Sequence, residues 1–132
     1  MKDCIFCKIV AGEIPCYKIY EDDNVLAFLD IALDCLGHTL VIPKKHFVNV
    51  TDCDHNILAR VFEATKKISK HYIDNCGFSG VNVVTNVGTQ QIVGHLHVHI
   101  FPRKPDENLL ILFKNGSVKQ SLEEQHKELK MF

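Results

Sequence analysis

The sequence predicts an α+β domain in which an antiparallel five-stranded sheet is combined with one long helix and a short N-terminal helix. Five short apolar runs are bounded by turn-forming residues, which is the pattern of strands. One longer segment, between the third and fourth runs, repeats its apolar residues at helical spacing. Because the strands follow one another with a single long helix among them, we expect a meander-like sheet.

The composition fits one globular domain and excludes several classes of protein. The chain has 132 residues, 46% of them hydrophobic, which is ample for one core. A formal net charge of −1 argues against a nucleic-acid-binding protein, which usually carries a basic face. Since no apolar run has membrane-spanning length and the N-terminus lacks a signal-peptide pattern, we expect a cytoplasmic protein without a membrane partner. In that compartment the six cysteines are expected to be free thiols or ligands.

The N-terminal part is predicted to form a short helix or turn and then three strands. "CIFCKIVAGEIP" is a short apolar segment that stops at Gly12 and Pro15. Residues 17–20 and 25–29 are expected to pair as a hairpin around the turn "EDDN". "GHTLVIP" is the third strand, and it is expected to end at Pro43, which cannot donate to a sheet ladder.

The long helix is predicted over residues 54–75. Thr51 and Asp52 are candidate caps upstream, and Gly77 is well placed to end the helix. The apolar stripe at helical spacing consists of Ile57, Leu58, Val61, Phe62, Thr65, Ile68 and Tyr72.

The rest of the chain supplies two more strands and a less regular end. "SGVNVVTN" is the fourth strand, "VGTQQ" a polar loop, and "IVGHLHVHIFP" the fifth strand, ended by Pro102. "DENLLILFKNG" is expected to be an extra strand or a partner-contacting segment. A capping-box pattern from Ser121 to Glu124 predicts a short charged helix, the alternative being a solvated tail. We therefore divide the chain into a core at 1–103 and an extension at 104–132 that contacts a partner subunit or the substrate.

Three histidines alternate in "GHLHVHIFPR", namely His95, His97 and His99. Alternate residues of a strand share a face and lie about 6.6 Å apart, which is too far for all three to bind one zinc ion. The spacing suits a row of imidazoles with different roles in one site. Imidazole is a good nucleophile and a good acid or base near neutral pH. The alternative is a half-buried strand that carries incidental histidines.

Three further segments carry candidate ligand-binding residues. In "AFLDI" the apolar side chains can hold a purine and Asp30 can accept from ribose hydroxyls, although a core strand and a turn residue would look the same. Amides of the loop before the histidines can bind phosphate oxygens, or can belong to an ordinary polar turn; these residues are Asn86, Gln90 and Gln91. Cys4 and Cys7 have the spacing of a zinc knuckle but need two more ligands, with free thiols as the alternative.

Taken together, these segments resemble the histidine triad family. "HLHVHIF" matches the triad pattern, and "CIFCKIVAGEIP", "AFLDI" and "GHTLVIPKKHF" precede it in the family's order, so that the resemblance covers nearly the whole chain. The chain looks like a bacterial-type member near the nucleoside phosphoramidase branch. Such proteins are nucleotidyl hydrolases or transferases, typically homodimers with a half-barrel sheet.

The resemblance implies a role for each matching residue. His97 would be the nucleophile that attacks the α-phosphorus, His99 would contact the phosphate or the bridging atom, and His38 would support the triad by hydrogen bonding. Asp30 would hold the ribose. The purine would be lined by Phe6, Ile9, Phe28, Leu29 and Ile31. A structural zinc ion would be bound by Cys4, Cys7, His46 and His95.

The loop before the triad departs from the family pattern. Ile92 stands where relatives carry a hydroxyl residue near the phosphate or leaving group, Gln90 where glycine is common, and Gly94 where a larger residue is common. We expect a hydrolase of purine nucleoside phosphoramidates or adenylated compounds. The alternatives are a dinucleoside polyphosphate hydrolase and, because of Ile92, a nucleotide-binding or scaffold protein with weak catalysis.

Overall fold

The predicted fold class is confirmed by a computed structural model that describes residues 3–106 and 116–132. The helices are α1 (Ile5–Val10), α2 (His55–Asn75) and α3 (Leu122–Leu129), and a 3₁₀ turn spans Gly88–Gln90. The strands are β1 (Lys18–Glu21), β2 (Val25–Leu29), β3 (Thr39–Pro43), β4 (Gly80–Thr85) and β5 (Val98–Arg103).

The five strands form one antiparallel sheet in the order β1-β2-β3-β5-β4. The first three strands are neighbours in sequence and in space. Helix α2 then leads the chain to the far edge, where β4 forms, and β5 returns between β3 and β4. In this register His99 of β5 lies between Leu40 of β3 and Val84 of β4.

Side chains alternate between the two faces of the sheet and so create two clusters. Val25, Ala27 and Leu29 of β2 face α2, which packs on them through buried residues such as Val61 and Ile68. The intervening residues of β2 and β3 form the second cluster on the other face, where Phe6 of α1 covers them; they are Leu26, Phe28, Leu40 and Ile42. Because β5 alternates in the same way, Val98 and Ile100 join the α2 side.

Two details of α2 differ from the prediction. Asp54 is the N-cap, since its side chain accepts from the backbone N–H of Ile57 at 2.8 Å. Asp52 instead accepts from the backbone N–H groups of Val48 and Asn49, and so closes the preceding turn. Phe62 belongs to the predicted apolar stripe but is 41% exposed, since it lies at the margin of the buried face.

Strand β5 differs from its predicted bounds at both ends. It begins at Val98, because the backbone N–H of Leu96 donates to Phe47 and the chain has left the ladder there. It continues through Pro102 to Arg103. Proline has no backbone N–H, but β3 pairs with β5 only as far as Ile100, so no hydrogen bond to β3 is lost at Pro102.

The C-terminal residues form a docked helix, which confirms the predicted helix and excludes the alternative of a solvated tail. Ser121 caps α3, since its Oγ accepts from the backbone N–H of Glu124 at 3.2 Å, which confirms the predicted start of this helix. Gln125 and Leu129 are 2% and 3% exposed. The apolar run within "DENLLILFKNG" lies outside the described residues, and the division at residue 103 stays a prediction. Within 3–106 and 116–132, no helix is both long and apolar enough to cross a membrane.

Candidate active site and metal centre

Three of the predicted histidines meet on the sheet face opposite α2. His38 immediately precedes β3, His99 lies on β5, and His97 lies on the extended residues before β5. Nε2 of His38 is 2.9 Å from Nδ1 of His99. The ring centroids of His97 and His99 are 4.9 Å apart. The structure therefore brings the predicted catalytic residues into one cluster.

Hydrogen bonding fixes which nitrogen of His97 is free. Nδ1 of His97 lies 2.7 Å from the carbonyl oxygen of His95, and a carbonyl can only accept, so Nδ1 carries the hydrogen. Nε2 is then the nitrogen with a lone pair, and His97 lines the cavity of this face. Burial lowers the pKa of His97, which favours the neutral ring. A neutral imidazole with a free Nε2 is a competent nucleophile.

Asp34 is a site residue that the sequence analysis missed. Its Oδ1 is 2.8 Å from Nδ1 of His38. Burial opposes ionisation of Asp34, but the hydrogen bond from His38 and the charge of that ring outweigh it, so the pKa of Asp34 lies below its ordinary value. The sequence shows only that an aspartate precedes His38 by four residues. This spacing brings the two side chains together only if the loop between them turns back on itself.

The loop between β2 and β3 makes that turn. Leu33 has φ of 53°, in the left-handed region that a leucine rarely adopts. Its carbonyl accepts from the backbone N–H of Val118 at 2.8 Å, and the carbonyl of Ala32 accepts from Gly116 at 2.9 Å. The C-terminal extension thus holds the loop in the conformation that places Asp34 against His38.

Asp30 lies between the histidines and an apolar pocket. Its Oδ1 accepts from the backbone N–H of Ala32 at 2.7 Å, and its Oδ2 is 3.8 Å from Nδ1 of His38. A cavity of about 330 Å³ contains the three histidines, and a second cavity of about 320 Å³ adjoins it; Asp30 and Phe6 line both. The position of Asp30 fits the expected contact with a ribose that bridges the two cavities.

The second cavity is lined by the predicted purine-binding residues. They are Phe6, Ile9, Phe28, Leu29 and Ile31, with Asp30 at the junction. The ring of Phe6 stands edge-on to that of Phe28, with centroids 5.6 Å apart. Such an apolar slot can bind a flat ring by stacking and shape complementarity rather than by hydrogen bonds.

Some residues of the loop before β5 line the cavity, and another supports the neighbouring loop. Asn86, Gln90 and Ile92 line the cavity that contains the three histidines, which fits their predicted contact with a substrate phosphate. Gln91 does not line it: its amide donates to the carbonyls of Val48 and Val93 and accepts from Asn49. Because both halves of this amide are engaged with the neighbouring loop, we assign Gln91 to loop support rather than to phosphate binding.

The four predicted metal ligands come together at one point. The Sγ atoms of Cys4 and Cys7 and one ring nitrogen each of His46 and His95 all lie within 4.8 Å of one another. The nearest contacts are 3.1 Å between the two Nδ1 atoms and 3.3 Å from each Sγ to an Nδ1. Ligands around a tetrahedral zinc ion are separated by about 3.3–3.8 Å, given Zn–N and Zn–S bonds of about 2.0 and 2.3 Å. The donors and their spacing fit zinc.

The neighbours of these ligands also fit a metal site. Nε2 of His95 donates to the carbonyl oxygen of Pro43 at 2.9 Å, which leaves the lone pair on Nδ1, facing the cysteines. A second cluster of possible ligands, Asp30, His38 and His99, belongs to the catalytic face. There His38 uses both ring nitrogens on Asp34 and His99, so that neither is free for an ion.

Comparison with known proteins gives the family. Residues 11–106 match the family model described as the HIT domain. A HIT-like protein of Borreliella burgdorferi is 45% identical over 136 residues, covering 99% of this chain and 96% of the relative. The adenosine 5′-monophosphoramidase hnt1 of Schizosaccharomyces pombe is 44% identical over 106 residues, covering 79% and 76% of the two chains.

A solved structure extends the likeness to the fold. The zinc-bound histidine triad family protein from Mycobacterium smegmatis superposes with a TM-score of 0.86 at 34% identity, covering 98% of this chain and 91% of that one. With a matched domain over most of its length, relatives of such identity and the histidine cluster in place, the chain belongs to the HIT family.

Proposed function

We propose that this HIT-family protein is a hydrolase that cleaves purine nucleoside phosphoramidates or related adenylated compounds at the α-phosphorus through a nucleotidyl-His97 intermediate. The observation that carries the proposal is Nε2 of His97, a free lone pair in a cavity that adjoins an apolar slot, with Asp30 between the two. This arrangement suits a nucleoside monophosphate whose base, ribose and phosphate lie in that order. The phosphoramidase activity named for the fission-yeast relative supports this substrate class.

The reaction divides into two displacements at phosphorus. In the first, Nε2 of His97 attacks, the bond to the leaving group breaks, and the leaving group takes a proton from His99. In the second, water attacks the nucleotidyl-histidine, a proton of that water passes to His99, and His97 is released. Covalent catalysis of this kind replaces one difficult step by two easier ones. Asn86 and Gln90 are placed to donate to phosphoryl oxygens.

The test is release of AMP from an adenosine 5′-phosphoramidate by the wild type and by His97→Ala. We expect wild-type turnover and a loss on the order of 10³-fold or more in the variant, with AMP binding retained in calorimetry. His55→Ala is the matched control, since His55 is exposed at the start of α2. Turnover that survives in His97→Ala would exclude a nucleotidyl-His97 intermediate.

Two other functions remain as alternatives with distinct outcomes. A dinucleoside polyphosphate hydrolase would turn over diadenosine tetraphosphate faster than the phosphoramidate. A nucleotide-binding or scaffold protein would bind AMP with negligible turnover. Ile92 favours the latter, because it is 96% exposed and presents an apolar side chain to the catalytic cavity. Ile92→Ser, if it raises turnover severalfold, would identify this residue as the cause of slow catalysis.

The cysteine–histidine cluster is proposed to bind one structural zinc ion. Four protein ligands leave no open position for a substrate, so the ion would link α1 to the sheet rather than take part in the reaction. The zinc-bound relative from Mycobacterium smegmatis supports this assignment. Elemental analysis of the purified protein should find one zinc per chain, and Cys4→Ser should reduce it severalfold.

A homodimer is proposed to form through β4. This strand is an edge of the sheet, with β5 on one side and, in the described part of the chain, no strand on the other. Both faces of β4 carry exposed apolar side chains, with Val83 44% and Val84 40% exposed. An unprotected apolar edge favours pairing with another strand, and in a symmetric dimer that strand is β4 of a second copy.

A further inference from the structure

In the proposed reaction His99 gives a proton to the leaving group, and the side chains behind His99 bear on where that proton comes from. Three side chains lie in line at hydrogen-bonding distance. Oδ1 of Asp34 is 2.8 Å from Nδ1 of His38, and Nε2 of His38 is 2.9 Å from Nδ1 of His99. Only Nε2 of His99 is left to face the cavity, which His99 lines. The chain of contacts therefore runs from a carboxylate to the reacting atoms.

We infer that Asp34 is a positioning residue that holds His38 as a proton store, from which His99 protonates the leaving group and to which the proton returns from water. This inference rests on the proposed function, because it assigns the proton of the reaction described above. It goes beyond a general supporting role for His38, since it names the carboxylate, the atoms and the direction of transfer.

The transfers balance at each atom. In the first half-reaction the Nε2–H bond of His99 breaks as the leaving group gains that proton, and Nδ1 of His99 receives the proton of Nε2 of His38. His38 changes from imidazolium to neutral imidazole and keeps its Nδ1–H against Asp34. In the second half-reaction the water gives a proton to Nε2 of His99, Nδ1 of His99 returns its proton to His38, and the cycle closes.

The surroundings of His38 suit a stored positive charge. His38 is buried, and both neighbouring carboxylates lie on the side of Nδ1, Asp34 at 2.8 Å and Asp30 at 3.8 Å. Among the described residues, His38 also faces His99, the aromatic ring of Phe101 at 4.3 Å between centroids, and, across the cavity, His97. A buried imidazolium with a carboxylate at hydrogen-bonding distance is stabilised, whereas one without it is not.

His99 by contrast is kept neutral between transfers. Burial, together with the positive charge of His38 when that ring is protonated, lowers the pKa of His99 to about 4. A group that holds its proton this weakly transmits protons rather than storing them. The two histidines therefore have different tasks although they are the same residue type.

The experiment compares two leaving groups in the wild type and in Asp34→Asn. An alkylamine leaving from an adenosine 5′-phosphoramidate needs protonation, whereas 4-nitrophenolate leaving from adenosine 5′-(4-nitrophenyl) phosphate does not. General acid catalysis contributes about 10²–10⁴-fold, so we expect kcat/KM for the amide to fall on the order of 10²-fold in Asp34→Asn. For the nitrophenyl ester we expect a change of less than about threefold, since no proton is required there. Asp74→Asn removes a carboxylate on the far end of α2 and should leave both values unchanged.

The other outcomes separate the two proposals. An equal loss on both substrates would show that Asp34 only maintains the structure, and no loss on either would show that it is not needed; each overturns the inference. If the wild type releases AMP from neither substrate, the proposed function fails instead. The inference is then still tested by ¹⁵N NMR of the histidine rings, which must show both ring nitrogens of His38 protonated in the wild type. A lone pair on either nitrogen would overturn it whatever the activity.

Discussion

At the scale of single residues, the roles proposed for the buried histidines differ because each ring has a different nitrogen hydrogen-bonded to the protein. Nε2 of His95 is bonded to Pro43, so Nδ1 faces the cysteines. Nδ1 of His97 is bonded to a carbonyl oxygen, so Nε2 faces the cavity. Nδ1 of His38 is bonded to Asp34, so Nε2 faces His99. One hydrogen-bond acceptor per ring is thus enough to distinguish the proposed metal ligand, the proposed nucleophile and the proposed proton carrier.

The lowered pKa of His99 predicts how stability depends on pH. The unfolded chain protonates this imidazole near pH 6.5, whereas the folded chain does so only near pH 4. Between these values the unfolded state binds more protons, so the free energy of unfolding falls as the pH falls. His99→Asn removes this contribution, and we expect the wild type to lose about 1 kcal/mol more than the variant from pH 7 to pH 5, after allowance for the exposed part of the ring.

Urea unfolding of both proteins at several pH values measures this difference. His55→Asn is the control, because it removes an exposed histidine, and its curve should run parallel to that of the wild type. Parallel curves for the wild type and His99→Asn would contradict the prediction.

Which site residues could be predicted depends on whether a regular element places them. The placement of His97, His99 and the proposed ligand His95 could be predicted because alternation puts them on one face, and this holds although β5 begins only at Val98. Asp34 was not found, since its contact with His38 needs a left-handed leucine and a loop held by residues more than 80 positions later. The position of Gln91 outside the cavity could not be predicted for the same reason, because its partners Val48 and Asn49 come from another loop.

At the scale of elements, α1 depends on contacts outside itself. It has six residues, fewer than an isolated helix needs for stability in water. Cys4 caps it, since its Sγ accepts from the backbone N–H of Cys7 at 3.4 Å. Phe6, between the two cysteines, reaches the ring of His97 at 5.2 Å between centroids. The proposed metal site therefore holds the helix that forms one wall of the substrate pocket.

Loss of the metal ligands should consequently weaken substrate binding more than it slows the reaction. For Cys7→Ser we expect loss of bound zinc, a melting temperature lower by several degrees, and KM raised on the order of 10-fold with a smaller change in kcat. Metal analysis, calorimetry and steady-state kinetics measure these effects. Cys76→Ser, which removes a thiol at the C-terminal end of α2, should change none of them. If kcat of Cys7→Ser falls by as large a factor as KM rises, the cysteine–histidine cluster takes part in the reaction as well as in substrate binding.

Helix α3 has the corresponding role for the loop between β2 and β3. The backbone N–H of Gly37 donates to Oε1 of the buried Gln125 at 2.8 Å, one residue before His38. Gly37 has φ of 77°, and a Cβ there would lie 3.0 Å from Leu129 and 3.1 Å from Pro102. The glycine thus allows both the turn and the close approach of the helix. The C-terminal extension supports the active site within its own chain, which its charged sequence did not indicate.

At the scale of the whole molecule, the number, type and order of the elements follow from local patterns, whereas their arrangement does not. The strands, α2 and α3 can be predicted because each has one buried face, and the spacing of its apolar side chains reveals that face. The position of β5 between β3 and β4 is a pairing between distant segments. This pairing leaves β1 and β4 at the two edges of the sheet, and only one of these edges is covered by other described residues.

The edge at β1 is covered by the C-terminal residues of the same chain, since the backbone N–H of Met131 donates to Ile19 and His126 donates to the carbonyl of Lys18. The edge at β4 has no such cover among residues 3–106 and 116–132. Val83 and Val84 point to opposite faces of it, and Val87 adds exposed apolar surface in the loop that follows. Soluble proteins protect such edges, commonly with lysine, or pair them.

We therefore expect the protein to be a dimer whose stability depends on β4. Light scattering after size exclusion should give twice the mass of the chain for the wild type. Val83→Lys and Val84→Lys place a charge on either face of the edge, and each should shift the dissociation constant by 10-fold or more towards monomer, because a lysine on an edge strand opposes pairing. Val48→Lys is the matched control, since Val48 is equally exposed, at 46%, but lies in the loop after β3. A dimer that persists in both β4 variants would place the interface elsewhere, and a wild-type monomer would mean that the apolar edge of β4 serves another partner.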